Sequence, residues 1–249
     1  METTISVRID PHVHSEGSYD GREPVELILE HASEIGLDGV VVTDHDTIEE
    51  SRRAAELAPE FDLIGIPGVE VSTKAGHLLA IGVEECPPKG QSFAETVSYI
   101  RDLGGIAITP HPFQRTRHGV RKRNLSDCDG IEVYNSMLFT GYRNRRAHKF
   151  AERRDYPKIG ASDAHYLPNI GRAVTEIHVD ESEVSFTEET VDGDRLIDAI
   201  REGNTTIHGK RTPIHKSARQ YAIGASKKSL YLLTSQLPFL PTIPSAFDQ

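Results

Sequence analysis

The N-terminal two thirds of the chain alternates short β-like runs with helical patterns, and this alternation restricts the possible folds more than any other feature. Residues 39–43 (GVVVT) are apolar and largely β-branched, as in a strand that is buried on both faces. Residues 24–35 have helical spacing, with Pro24 just inside the start and Gly36 just past the end. Alternating strands and helices predict a parallel sheet wrapped by helices. We therefore expect an α/β fold that closes into one barrel.

Turn residues and capping patterns place the remaining elements. Thr47 with Glu50, and Ser92 with Glu95, form the T/S-x-x-E pattern of a capping box, which predicts a helix start at each pair. Two further helices are expected around residues 142–153 and 194–202. The predicted strands are residues 5–10, 39–43, 63–66, 69–72, 78–83, 106–109, 130–134, 158–161, 173–179 and 205–208.

The length and composition favour one large domain with a small appendage, since the chain has 249 residues of which 37% are hydrophobic. We predict a domain over residues 1–212 and a partly helical tail over residues 213–249 that is not a separate domain. No run approaches the roughly 20 apolar residues of a membrane helix, so no membrane partner is expected. Cys86 and Cys128 form no disulfide pattern and the N-terminus does not resemble a signal peptide, which favours a cytoplasmic location.

Twelve histidines are present, and six of them lie beside Asp, Pro or Gly at the ends of apolar runs. Loops at the C-terminal ends of parallel strands converge on one mouth, so side chains from distant segments would meet there. Imidazole and carboxylate together suit transition-metal ions such as Mn, Fe or Zn. The sequence therefore predicts a metal centre. The six histidines are His12, His14, His45, His77, His111 and His165.

Five segments carry this pattern: residues 10–15 (DPHVHS), 43–47 (TDHDT), 68–72 (GVEVS), 110–112 (PHP) and 162–165 (SDAH). Their order resembles the successive motifs of the PHP domain, a family named for polymerase and histidinol phosphatase, over about residues 5–210. The resemblance implies a distorted seven-stranded (β/α)7 barrel. It also implies two to three divalent metal ions (Mn, Fe or Zn) at the C-terminal mouth.

By matching position, the resemblance implies three sets of ligands that share Glu70 as a bridge. Two members have an alternative reading: Asp20 could be a solvated turn residue, and His77 could be a buried strand histidine bonded to the backbone. The implied sets are His12, His14, Glu70 and Asp163 for the first ion, Glu70, His77 and His111 for the second, and Asp20, His45 and His165 for the third.

The resemblance further implies a metal-dependent phosphoesterase in which a metal-bridging hydroxide hydrolyses a phosphate ester. The candidate substrates are small phosphate esters, nucleotides or short oligonucleotides, because the formal net charge of -10 argues against a stable complex with long nucleic acid. A basic segment directly follows His111, and its charges could either bind phosphate or form a solvated face. The candidate catalytic residues are Glu70, Asp44, Asp46, Arg115 and Arg172, with the two aspartates as acceptors for ligating histidines or water.

Two other classes of function remain open at this stage. An amidohydrolase could use the same metal-activated water on a C–N bond. A non-catalytic PHP module could keep the fold and only bind, although the full set of nine candidate ligands argues against loss of the site. The sequence does not indicate the metal, the leaving group or the oligomeric state.

Overall fold

A computed structural model describes residues 4–138, 140–180, 193–216 and 218. The helices are α1 (Val25–Glu34), α2 (Glu49–Leu57), α3 (Phe93–Asp102), α4 (Gly141–Glu152) and α5 (Gly193–Glu202). The strands are β1 (Thr4–Val13), β2 (Gly39–Val42), β3 (Gly68–Thr73), β4 (Gly76–Ile81), β5 (Ile106–Thr109), β6 (Gly130–Asn135), β7 (Lys158–Ala161), β8 (Ala173–Asp180) and β9 (Thr205–Gly209). The predicted tail lies almost wholly outside the described residues.

The nine described strands form two sheets, in the orders β2-β1-β8-β9 and β3-β4-β5-β6-β7. Parallel pairs join β1 to β2, β5 to β6 and β6 to β7, whereas β3 with β4, β4 with β5, β1 with β8 and β8 with β9 are antiparallel. The two sheets meet through isolated parallel bridges at Val13 with Ala164, Gly39 with Ile64, and His45 with Glu70. The expected α/β fold is confirmed. The closed seven-stranded barrel stays a prediction, because no continuous ladder joins the two sheets in the described part of the chain.

The apolar core lies between the sheets and under the helices. Ile9 of β1 packs with Leu79 and Ile81 of β4, and Leu196 of α5 joins the same buried cluster. Two further clusters lie under α1 with α2 and under α3 with α4. Apolar side chains therefore cover both faces of these strands. Polar side chains that could form a site are expected at the strand ends and in the loops there. Among the described residues, no helix combines the length and the apolar character needed to cross a lipid bilayer.

Two local predictions differ from the structure. Helix α2 begins after Ile48 without a side-chain cap, because the hydroxyl of Thr47 donates to the adjacent carboxylate of Glu49. The Thr47 capping box was therefore a wrong prediction, whereas Ser92 and Glu95 form the reciprocal box at α3. The expected strand over residues 63–66 is reduced to a single bridge at Ile64 with Gly39.

Ser51 of α2 connects the two sheets where no ladder does. Its hydroxyl donates to the carbonyl of Val42 in β2 and accepts the backbone N–H of Gly68 in β3 at 2.7 Å. The side chain is buried, so neither backbone group can turn to water instead. Ser51 thus holds β2 and β3 at the position from which both lead into the same mouth.

We expect Ser51→Ala to lower the free energy of unfolding by about 1–3 kcal/mol, since two buried backbone groups lose their partner. Urea unfolding of the metal-free protein measures this without a contribution from bound ions. Ser98→Ala on the exposed side of α3 is the matched control and should change stability by less than about 0.5 kcal/mol. Equal stabilities for the two variants would contradict a linking role for Ser51.

Candidate metal centre

The ends of six strands bring all nine predicted ligands together. β1 supplies His12 and is followed at once by His14, and the loop after it supplies Asp20. The other members come from β2, β3, β4, β5 and β7 or the residues directly after them. They are His45, Glu70, His77, His111, Asp163 and His165, and all nine side chains are buried except the half-buried Asp20 and His77.

Glu70 is the centre of this cluster, because nitrogen atoms of five imidazoles surround its carboxylate. Oε1 lies 2.8 Å from Nδ1 of His77 and 3.1 Å from Nε2 of His111. Oε2 lies 3.2 Å from Nε2 of His12, 3.2 Å from Nε2 of His14 and 3.4 Å from Nδ1 of His45. Imidazoles therefore surround each of the two oxygens, and the bridging role that is expected of Glu70 stays a prediction.

The remaining ligands surround this centre on the side of His14. Oδ2 of Asp20 lies 3.0 Å from Nε2 of His165 and 3.7 Å from Nε2 of His45. Oδ1 of Asp163 lies 3.8 Å from the Nε2 atoms of both His12 and His14. Groups of three ligand atoms close enough for one ion are His12 with His14 and Glu70, His45 with Glu70 and His77, His14 with Asp20 and His45, His14 with Asp163 and His165, and His12 with His111 and Asp163.

Burial and neighbouring charges shift the pKa values of the residues in this cluster in different directions. Burial alone would raise the pKa of Glu70, but His77, His45 and His12 outweigh it and hold that pKa well below the ordinary value. Burial, aided by repulsion from His165, lowers the pKa of His14 to about 3. Burial also lowers the pKa of His12, yet Asp163 and Glu70 outweigh it and raise that pKa well above its ordinary value. Two rings whose Nε2 atoms lie 3.2 Å apart thus differ in proton affinity.

The other two carboxylates behave like Glu70. Burial opposes ionisation of Asp20, but His165 and His45 keep its pKa well below the usual range. Asp163 is also buried, and Arg117 followed by His12 lowers its pKa below the ordinary value. Three carboxylates therefore stay ionised inside the protein, where an isolated negative charge is costly.

The donor set fits divalent cations. Nδ1 of His45 and Nδ1 of His111 are buried without a hydrogen-bond partner among the described residues. Three buried anions and imidazoles with unused lone pairs match the ligands that Mn, Fe and Zn prefer. Five overlapping three-atom groups also offer more than one position for an ion. The unpartnered nitrogen atoms distinguish this site from an ordinary buried network of ion pairs, in which each polar atom has a partner.

Glu132 is a functional candidate that the sequence reasoning missed. Its Oε1 lies 3.0 Å from Nδ1 of His12, while Oε2 accepts from the backbone N–H of His111 and from Nδ2 of Asn135 at 2.9 Å. Nδ2 of Asn135 also donates to Asp163 at 3.0 Å. Because a carboxylate only accepts here, His12 donates through Nδ1, and its Nε2 is left to face Glu70. The signal was available: Glu132 is a lone charged residue within the apolar strand β6.

Backbone strain is concentrated around the ligands. Of the described non-glycine residues, Asp46, His111, Phe113, His118 and Asp163 have φ between 30° and 69° and lie in or beside the cluster. Such conformations are costly and persist where surrounding contacts enforce them, which is typical of binding sites. Only two other described non-glycine residues share this range, Asp62 and Asp155.

The two aspartates predicted as acceptors for histidines make different contacts. Asp44 accepts two hydrogen bonds from Ser15, one from the backbone N–H at 2.8 Å and one from the hydroxyl. Burial raises the pKa of Asp44 to about 6. Asp46 accepts from the backbone N–H of Ser72 at 2.7 Å. Both therefore fix loops that carry or flank ligands, so their predicted contact with water or a histidine ring stays a prediction.

The two arginines predicted to bind phosphate, Arg115 and Arg172, have different surroundings. Arg115 lines a cavity of about 640 Å³ whose wall includes His45 and His77. Arg172 instead donates to the backbone carbonyl of Arg211 at 2.8 Å. Arg117 forms an ion pair with Asp163, so its charge is engaged by a candidate ligand.

The cavity extends from the histidines to a basic loop, defined here as residues 113–124. Gly76 permits this arrangement: its φ is +137°, and a Cβ there would meet the carbonyl oxygen of His118 at 2.3 Å. His118 consequently stacks on His77 with ring centroids 5.1 Å apart, and Tyr19 stacks on His45 at 5.1 Å. The cationic lining consists of Lys74, Arg115, Arg121 and Arg123.

Comparisons with known proteins agree on the family. Residues 141–205 match the model of a family described as PHP-associated. An uncharacterised protein of Methanocaldococcus jannaschii is 32% identical over 152 residues, which span 57% of this chain and 89% of that protein. Phosphoribosyl 1,2-cyclic phosphate 1,2-diphosphodiesterase of Eggerthella lenta is 36% identical over 85 residues, or 32% of each chain.

A solved structure supports the same fold. It is a two-domain protein from Bacteroides vulgatus that contains a predicted PHP-like metal-dependent phosphoesterase, and it superposes with a TM-score of 0.63 at 18% identity. The match covers 89% of this chain and 70% of that chain. The motif order, the convergence of the nine ligands and these matches have one common explanation. The chain belongs to the PHP domain family.

Proposed function

We propose that this protein is a metal-dependent phosphoesterase that hydrolyses small phosphate esters, nucleotides or short oligonucleotides. The observation that carries the proposal is Glu70, whose carboxylate has five imidazole nitrogens within 2.8–3.4 Å. Two of these imidazoles, those of His45 and His77, line a cavity that is also lined by cations. The relative from Eggerthella lenta is a phosphodiesterase by name, and its similarity extends over a third of this chain. Barrel-like closure of the two sheets is part of the proposal, and the three isolated bridges support it.

Two or three divalent ions would be held by the nine ligands, with Glu70 shared between two of them. Divalent ions in such a site lower the pKa of coordinated water and polarise a phosphoryl oxygen. The predicted first set is compatible with the close group of His12, His14 and Glu70. His45 lies near both Asp20 and Glu70, so it could serve the second or the third ion.

The chain itself supplies positioning and charge. Glu132 orients His12 and, through the backbone of residue 111, the loop after β5. Arg115, Arg121 and Arg123 line the same cavity as His45 and His77, so an anionic substrate would be drawn toward the ligands. Guanidinium groups also bind phosphate oxygens through paired N–H donors, which orients the ester.

The cavity favours a phosphate ester over an amide. Four cationic side chains line it, and a neutral amide offers no negative charge to pair with them. A purely binding role is also disfavoured, since none of the nine predicted ligands is displaced from the cluster.

The first prediction from the proposed function concerns the carboxylate of Glu70. We expect Glu70→Gln to lose bound metal and to lower hydrolysis of a phosphoester panel by roughly 10²–10³ fold, because the variant loses the charge shared by five imidazoles. Elemental analysis of the purified protein and Mn-dependent turnover measure the two effects. Glu30→Gln on the exposed face of α1 is the control and should retain both. Wild-type protein without metal or metal-stimulated hydrolysis would overturn the proposal.

The second prediction separates the orienting carboxylate from the ligands. Glu132→Gln cannot accept from His12, His111 and Asn135 together, so metal affinity should fall by about 10–100 fold. Competition with a chelator measures that affinity, and circular dichroism checks that the fold persists. Glu176→Gln removes the carboxylate that pairs with His208 at the protein surface and should leave metal affinity unchanged. Unchanged affinity in Glu132→Gln would contradict the orienting role.

The third prediction distinguishes the two candidate arginines. Arg115→Gln should raise KM for a phosphomonoester by about tenfold with a smaller change in kcat, as expected when ground-state binding is lost. Arg172→Gln should leave KM near the wild-type value, because Arg172 bonds to the backbone of Arg211. Steady-state kinetics at fixed ionic strength measure both. The reverse order of effects would assign phosphate contact to Arg172.

A further inference from the structure

A second basic surface lies beside the metal cavity, on helix α4 and the adjoining basic loop. A cavity of about 320 Å³ is formed there. Its lining combines six cations with three aromatic rings, a composition unlike that of the metal cavity. The residues are Phe113, Lys122, Tyr142, Arg145, Arg146, Lys149, Phe150, Arg153 and Arg154.

The described part of the chain does not neutralise these cations. Among the described residues, no carboxylate lies within 4.0 Å of any of the six, whereas arginines elsewhere, such as Arg53 and Arg101, are paired. The chain carries a formal net charge of -10, so an unpaired cationic row on one helix is a marked separation of charge. Such a row attracts a polyanion while the remaining surface repels it.

Aromatic contacts hold part of this surface in place. The guanidinium of Arg146 lies over the ring of Phe113 at 4.6 Å, and that of Arg154 lies over Phe150 at 4.2 Å. Stacking of this kind restricts the side chain and leaves the N–H edge available for an anion. Tyr142 is 57% exposed at the start of α4, which is unusual for a large ring and offers a face for stacking.

The basic loop connects this surface with the metal cavity. Arg115, Arg121 and Arg123 line the metal cavity, whereas Phe113 and Lys122 of the same loop line the cavity on α4. Arg143 of α4 donates to the carbonyl of Phe113 at 2.8 Å and fixes the helix to the loop. Cations therefore continue from the candidate ligands, across the loop, to the far end of α4.

The extent of the row indicates the kind of anion. Arg145 and Arg153 are eight residues apart, which corresponds to about 12 Å along a helix axis. One phosphate group cannot contact both, but successive phosphates of a nucleic-acid strand can. The exposed ring of Tyr142 next to the row matches an unpaired base, which can stack on an aromatic side chain, better than a duplex, in which the bases are already stacked.

We propose that α4 and the basic loop form an anchoring surface for the phosphodiester backbone of a single-stranded oligonucleotide. That its end enters the metal cavity rests on the proposed phosphoesterase function; the anchoring itself does not. The net charge argued against a stable complex with long nucleic acid and left any binding of a polyanion to a local site, and the anchoring surface would be such a site.

The test is fluorescence anisotropy of a labelled oligothymidylate of about 12 nucleotides, within the usual size range for single-strand sites. The probe has phosphorothioate linkages, which keep the charge and resist hydrolysis, so the full metal-loaded chain can be used. We expect Arg145→Gln/Lys149→Gln to bind at least about tenfold more weakly, and the slope of log affinity against log salt to fall by about 1.4. Arg8→Gln/Arg195→Gln removes two exposed charges elsewhere and is the matched control.

Three outcomes would overturn the anchoring surface: no binding of the probe by the wild-type chain, equal weakening in the two double variants, or equally tight binding of inorganic tripolyphosphate or an oligoglutamate peptide. Hydrolysis of a small phosphomonoester is measured in parallel and should be unchanged in Arg145→Gln/Lys149→Gln. Hydrolysis without oligonucleotide binding would refute this inference and leave the proposed function intact. Oligonucleotide binding without any metal-dependent hydrolysis would support the anchoring surface and contradict the proposed phosphoesterase function.

Discussion

The carboxylate of Glu70 lies in a buried cluster where its negative charge needs positive partners, and much of the architecture follows from that need. Five imidazoles from four separate segments reach it, and each segment must lead to the same place for this to happen. The strained backbone at His111 and Asp163 is consistent with the cost of meeting this requirement. Ser51 and the isolated bridges hold the two sheets so that their strand ends converge.

Electrostatics explain why the cluster suits cations rather than protons. Protonation could neutralise the carboxylates only at strongly acidic pH, because the surrounding rings keep the pKa values of Glu70 and Asp20 well below the ordinary range. Nor can every imidazole carry the charge, since burial and like-charge repulsion lower the pKa of His14 to about 3. Divalent ions would supply positive charge without requiring neighbouring rings to be protonated together. This is the physical reason for interpreting the cluster as a metal centre.

The clustering of the nine candidate ligands could be predicted from the sequence because its signal is local. Most of them follow an apolar run, and the C-terminal ends of neighbouring parallel strands meet at one edge. His77 instead lies at the start of β4, which is antiparallel to β3 and so begins at the same edge. Glu132 was missed because its role depends on partners in β1 and after β5, 120 and 21 residues away along the chain. The Thr47 capping box failed for a similar reason: the pattern was present, but the adjacent Glu49 competed for the hydroxyl. The arrangement in two sheets could not be predicted from the sequence either, since antiparallel and parallel pairs of strands can have the same apolar periodicity.

Charge distribution, more than total charge, determines what this protein can attract. The acidic total suggested that long polyanions would be repelled, yet cations gather on the basic loop and α4, while Glu70 and Asp163 of the metal cluster are buried. A buried anionic cluster attracts divalent ions at short range, and an exposed cationic row attracts phosphates at longer range. Residues of the basic loop line both the metal cavity and the cavity on α4. Under the proposed anchoring, a phosphate held at the row would therefore lie beside the loop that also lines the cavity of His45 and His77.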